Sequence, residues 1–180
     1  GTNLEKDVVD TEDLYTNRGF QLGGNLAKEK HQHQLYLSHE IGNGYRYNTA
    51  FENNKIYYQG NIQVNEDSTL QFSYGYVKNG FGANGFYAAP GDKEAKEIVE
   101  TTLAMVHYKH KINDRITLIP RLSYRYNFDD YRYFKNDLNR ARSKHYSNSI
   151  SGEINSTYKL NNGQIGVGME YRNEQINSTS

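Results

Sequence analysis

The chain has 180 residues, 21 Lys plus Arg balanced by 21 Asp plus Glu, no Cys and only 2 Pro. A single domain accommodates this length. Zero net charge offers no field for nucleic acid to follow. The absence of Cys excludes disulfide scaffolds, thiolate zinc sites and thiol catalysis, and no apolar run approaches the about 20 residues that a spanning helix needs. Apolar residues at 36% and a mean hydropathy of -0.93 would suit a disordered chain, but 17 Tyr and 7 Phe favour strands. A sheet with one wet and one greasy face reconciles the two, because every second position is then free to be polar.

Alternation with period two, taken in chain order, defines eight strands. The first two lie near 18–27 and 31–42, on either side of Lys28-Glu29-Lys30. A long connection over 42–54 leads to the third, in which Ile56, Tyr58, Ile62 and Val64 face away from Lys55, Gln59, Asn61 and Gln63. After the turn Asn65-Glu66-Asp67-Ser68, the fourth sets Leu70, Phe72, Tyr74 and Tyr76 against Gln71, Ser73 and Gly75, and a second long loop covers 79–96. The fifth strand, 97–111, is joined to the sixth by Ile112-Asn113-Asp114-Arg115. The sixth sets Ile116, Leu118, Leu122, Tyr124 and Tyr126 against Thr117, Arg121, Ser123, Arg125 and Asn127. A third long loop, 128–144, precedes the seventh strand, 145–160, and Asn161-Asn162-Gly163 turns into the eighth. There Ile165, Val167, Met169 and Tyr171 oppose Gln164, Gly166, Gly168, Glu170 and Arg172. Pro120 cannot donate a ladder hydrogen bond, so a β-bulge is expected at it.

Because short connections alternate with long ones, the long loops emerge at one end. That asymmetry belongs to outer-membrane barrels, with tight turns on the periplasmic side. In the apolar phase Tyr58, Tyr74, Tyr76, Tyr124, Tyr126 and Tyr171 lie toward the long-loop ends, and Tyr108 and Tyr158 lie near the turns. Ile62, Ala104, Val106, Leu118, Leu122, Ile154, Ile165 and Val167 fall between, as a hydrocarbon band flanked by aromatic girdles requires. The expected fold is all-β, an antiparallel up-and-down meander of about eight strands forming part of a transmembrane β-barrel. Its apolar phase would meet outer-membrane lipid of a Gram-negative bacterium and its polar phase a lumen. A soluble β-barrel or β-sandwich shows the same alternation with its faces exchanged. A complete small eight-stranded membrane barrel with a structural or adhesive role is the other alternative.

The segment Val77-Lys78-Asn79-Gly80-Phe81-Gly82-Ala83-Asn84-Gly85-Phe86-Tyr87, with Thr101-Thr102-Leu103-Ala104 opening the next strand, resembles a recurrent stretch of TonB-dependent receptors of Bacteroidetes. Gly44-Tyr45-Arg46-Tyr47-Asn48-Thr49-Ala50-Phe51 and Tyr57-Tyr58-Gln59-Gly60 look like the strand pair before it, and the resemblance extends over about residues 15–175. It implies a 22-stranded barrel around a plug domain, energised by TonB and importing a scarce nutrient such as a siderophore-iron or cobalamin-like ligand. Residues 1–180 would be a partial barrel domain carrying neither plug nor TonB box. Eight strands do not close such a barrel, so two sheet edges are left for self-association or for curling of the sheet.

Candidate ligand-binding residues are Tyr45, Arg46 and Tyr47 in the first long loop, Phe81, Asn84, Phe86 and Tyr87 in the second, and Asp130, Tyr131 and Arg132 in the third. Aromatic faces mixed with charge suit a polar, polycyclic or metal-chelate ligand through stacking and cation–π contacts. They also suit loop packing and solvated tips. His31 and His33 share a strand face, but no carboxylate at a supporting spacing completes a metal site. Asp129 and Asp130 are adjacent and point to opposite faces, so they do not form a hydrolytic pair. No Ser–His–Asp company or phosphate-cradling glycine loop is present, so neither an enzyme nor a cofactor is expected.

Overall fold

The computed structural model describes residues 15–44, 48–83, 95–134, 137 and 141–179. Among them lie eight strands: β1 Asn17–Lys28, β2 His31–Gly42, β3 Phe51–Asn65, β4 Ser68–Gly82, β5 Lys96–Lys111, β6 Ile116–Arg132, β7 Arg142–Leu160 and β8 Gly163–Thr179. They form one sheet in sequence order, every neighbour antiparallel. The expected up-and-down meander is therefore present, but the sheet is not closed. β1 and β8 each have one neighbour and are exposed along their whole length.

The tight turns follow from side chains that mimic backbone. Asn65 accepts the Asp67 amide at 3.0 Å, and Asn113 accepts the amides of Arg115 and Ile116, each at 2.9 Å. These Asx turns reverse the chain within two to four residues, which is why turn formers were legible there. The strands themselves run further than their alternation suggests. β4 continues to Gly82, β6 to Arg132 and β8 to Thr179, so the long connections shrink to 43–50, 83–95 and 133–141. β5 opens at Lys96, five residues ahead of Thr101, so the Thr101–Ala104 stretch lies inside the strand.

Register and alternation agree across the whole sheet. One row of directly paired residues runs Leu26, His33, Gly60, Phe72, Val106, Leu122, Gly152, Tyr171. Residues at even spacing from it share its face. That face therefore gathers Leu22, Leu35, Ile56, Tyr74, Tyr124, Ile154, Val167 and Met169, and the opposite face gathers Gln71, Ser123, Arg125, Ser151, Glu170 and Arg172. A slip of one residue in any pair would mix the two sets. The apolar face is uncovered: Leu122 is 54% exposed, Ile154 53%, Val167 66% and Met169 74%. Buried apolar residues among those described are only Ala83 and Ala95. They meet at the long-loop end, where the Ala83 amide donates to the Ala95 carbonyl and Asn48 Nδ2 donates to the same oxygen at 2.7 Å.

Two features differ from expectation. Pro120 carries no bulge, since the pairings His107 with Arg121 and His110 with Leu118 keep one register on either side of it. The ladder to β5 skips the intervening positions, whereas the ladder to β7 runs through Pro120 paired with Ile154. The missing amide thus costs pairing on one side only. The bulge sits instead between Gln63 and Asn65, which takes Val64 out of the ladder beside the tight turn. The aromatic rows also cross the strands nearer their middles: Tyr58, Tyr74 and Tyr171 are at the centres of β3, β4 and β8, because those strands extend beyond them.

The turn ends are staggered. The row through Leu26, two residues short of the β1 end at Lys28, reaches Tyr171, eight residues from the β8 start at Gly163. A net climb of six residues over seven strand steps is about 20 Å of rise across about 34 Å of sheet, an inclination of about 30° if the turns lie at one level.

Gly60 makes room for the aromatic ring beside it. A Cβ there would stand 2.6 Å from the Phe72 ring, whereas one on Gly152 meets nothing within 4 Å. Gly60→Val should destabilise the folded sheet by about 1–3 kcal/mol, and Gly152→Ala should stay within about 0.5 kcal/mol. Urea unfolding in detergent, followed by far-UV circular dichroism, measures both.

Candidate functional site

The long-loop end gathers most of the described ligand candidates, and the pleat divides them. Tyr45, Arg46, Tyr47, Asn84, Phe86 and Tyr87 lie outside the described residues. Phe81 is in β4 opposite Glu97, which in turn pairs with Tyr131 in β6. These three are on the polar face. Asp130 and Arg132 are on the apolar face, and they are strand residues rather than loop residues because β6 continues to Arg132. Asp129 pairs with Val99 and faces the polar side, so the two aspartates do point apart.

Asp130 is not a solvated tip. It is 1% exposed and held by two guanidinium groups. Arg132 donates from Nε at 2.8 Å, and Arg142 donates from Nε at 2.6 Å and from an Nη at 2.8 Å. A buried carboxylate is tolerable when both oxygens are bonded and the charge is countered. Arg142 is the partner that sequence reasoning missed. It is twelve residues away, and Ala141, at a φ of 40°, turns the chain so that Arg142 comes opposite Arg132.

The polar face carries a second constellation that no motif announced. A cavity of about 410 Å³ is bordered by Tyr57, Ser123, Arg125, Ser151, Arg172 and Glu174. The Ser123 and Ser151 hydroxyls are 2.6 Å apart. Below it Arg121 meets Glu153 at 3.2 Å, and beside it Arg172 meets Glu170 at 2.7 Å. Hydroxyls, guanidinium groups and carboxylates converge there from β3 to β8. The pattern escaped the sequence because its members are single residues on strands far apart in the chain. The signal available was the polar residue at every second position of each strand, which identifies a face but no centre.

Shielding also falls on the polar face. Asn79 Oδ1, His107 Nε2, Arg121 Nε and Asp129 Oδ1 are covered side-chain atoms with no hydrogen bond from this chain. The apolar face shows a broad shallow hollow of about 860 Å³ instead, bordered by Val106, Tyr108, Leu122, Ile154, Met169 and Tyr171. The His31 and His33 rings stack at 6.1 Å, and His33 Nδ1 shares a hydrogen bond with the Tyr58 hydroxyl at 2.8 Å. Among the described residues, no group of three His, Asp or Glu side chains forms a metal-binding cluster.

No protein-family model matches the chain, and no curated protein matches it. The site therefore rests on its own geometry.

At the opposite rim, the turn residue Asp114 receives Lys111 Nζ at 2.9 Å, and that hydrogen bond holds its carboxyl below the usual carboxylate range. Because the folded value is depressed, the contact is present above the unfolded value and is lost as pH falls through the folded one. Carboxyl NMR should show Asp114 titrating low, and Lys111→Ala should return it to the ordinary range. Within the strands, Arg142→Ala should cost about 1–3 kcal/mol, because it leaves Asp130 Oδ1 without its donor while Arg132 still counters the charge. Arg121→Ala, in a half-exposed pair, should cost under about 1 kcal/mol. Chemical unfolding of the two variants side by side checks the contrast.

Proposed function

We propose that this chain is a segment of the barrel of an outer-membrane TonB-dependent receptor that imports a scarce nutrient of the siderophore-iron or cobalamin kind. The observation that carries the membrane half of this reading is the apolar face, continuous over eight strands and exposed, in a sheet whose described buried apolar residues are two alanines. In water such a face would drive association, whereas in a bilayer it is the surface required. The inclination of about 30° deduced from the turn stagger is close to the about 35–45° of outer-membrane barrels. From Ile116 to the Tyr124 row is eight residues, about 26 Å along the strand, comparable with an apolar band about 25 Å tall. The polar face would then line a channel, and its Ser, Arg and Glu side chains suit a polar ligand in transit.

The receptor half rests on the resemblance around Val77–Tyr87 and on long connections at one end only. Under it, outer-membrane lipid, the plug domain and TonB of the parent protein, and a small nutrient are the partners, and no covalent chemistry is involved. One observation favours the alternative of a complete eight-stranded membrane barrel: with an even strand count, β1 and β8 run antiparallel and their free edges are compatible with pairing. The soluble barrel needs the apolar face inside, and the 46% exposure of Val106 weighs against it.

The membrane reading depends on phase. Nitroxide labels at Leu118, Leu122, Ile165 and Val167 should report lipid, and labels at Arg121, Ser123, Gln164 and Glu170 should report water, by oxygen and nickel accessibility in vesicles. The opposite assignment would overturn it.

A further inference from the structure

The apolar face does not stay apolar to its upper rim. Above the Phe128 and Tyr146 rings, stacked at 5.3 Å on adjacent strands, the next row of the same face reads Ile98, Asp130, Lys144. The row beyond reads Lys96, Arg132, Arg142. Both guanidinium groups fold back onto Asp130, so their charge sits at the level of Asp130 and Lys144. That level is two residues past the aromatic pair, about 7 Å along the strand.

Among the described strand residues of this face the local balance is positive. Asp130 offsets one of the two arginines, and Lys144 has no ion-pair partner among the described residues. Lys78 is neutralised by Glu100 at 2.8 Å, and Lys96 shares a hollow of about 270 Å³ with Glu52. Asp129 and Glu97 are on the opposite face. Two net positive charges thus remain on Arg132, Arg142 and Lys144. Asp130 fixes their geometry: the arginines keep unbonded guanidinium nitrogens, and their side chains are 22% and 24% exposed.

We propose that Arg132, Arg142 and Lys144 form a seat for the phosphate of an anionic lipid headgroup. The proposal rests on the reading of this face as lipid-facing. A headgroup layer is about 5–7 Å deep, which matches the height of these charges above the aromatic pair. Guanidinium groups bind phosphate oxygens in a forked geometry, and their aromatic neighbours mark the boundary where acyl chains give way to headgroups. A soluble anion passing through a channel would meet the other face, so the charge complementarity here is with what borders the lipid.

The test is native mass spectrometry of the whole chain in neutral detergent, titrated with phosphatidylglycerol or phosphatidylcholine. The wild type should retain phosphatidylglycerol preferentially. Lys144→Gln and Arg132→Gln, which leave Arg142 on Asp130, should each weaken it about five-fold. Arg132→Lys should keep much of the preference, and Lys28→Gln, on the same face at the other rim, should change nothing. Equal retention of the two lipids by the wild type, or undiminished preference in the double Arg132→Gln, Lys144→Gln variant, would overturn the seat. Displacement by equimolar glycerol phosphate would identify a soluble-phosphate site and also overturn it. If a label at Leu122 still reports lipid when the preference is absent, the seat alone fails. If that label reports water, the lipid-facing reading fails with it.

Discussion

Cross-strand register is the constraint on which everything else in this molecule depends. Each strand alternates with a period of two, so a pairing error of one residue exchanges its two faces. Across seven antiparallel ladders the pairing keeps Leu26, Phe72, Val106, Leu122 and Tyr171 in a single row. The described residues form no interior to enforce this, because the buried apolar ones among them are two alanines at one rim. Ladder hydrogen bonds, Asx turns and cross-strand side-chain pairs carry the work that a core performs elsewhere. The bulge beside Val64 and the skipped positions at Pro120 show how irregularities are absorbed. Each is confined to one ladder, and the phase of the following strands is unchanged.

The two faces solve different electrostatic problems. On the polar face, charges are spread as half-exposed pairs such as Arg121 with Glu153 and Arg172 with Glu170, each a modest contributor in a wet setting. On the apolar face, charge is concentrated at one end, with Asp130 buried beneath two arginines. A carboxylate in that position is costly unless fully satisfied. Its bidentate bonds to Arg142 tie the start of β7 to the end of β6, beside the Tyr133 amide bonded to the Ala141 carbonyl. The same arrangement that secures the hairpin leaves a positive surplus at the rim.

Much of the fold was readable from the residues. Eight strands, their order, the four tight turns and the division into two faces follow from alternation and, at three of the four turns, from Asn, Asp or Gly at the reversal. The upper strand ends were not readable. Asp129, Asp130, Tyr131 and Arg132 look like loop residues by composition, yet they continue β6 because their backbones pair with β5 and β7. Propensity scores a residue alone, whereas a ladder rewards any backbone that has a neighbour on each side. Phe81 was likewise expected in a loop, and it is drawn into β4 by its pairings with Phe51 and Glu97.

The candidate site divides along the same line. That adjacent Asp129 and Asp130 face opposite ways is a property of the pleat and needs no structure. That Asp130 is buried, that its partner is Arg142, and that Ser123, Arg125, Ser151 and Arg172 border one cavity all depend on which strands lie side by side. By itself the sequence determined periodicity, reversals and facial chemistry, because these are set within a few residues. Tertiary structure decided strand extent, stagger and side-chain partnership, because these arise only when hydrogen-bonded neighbours bring distant residues together.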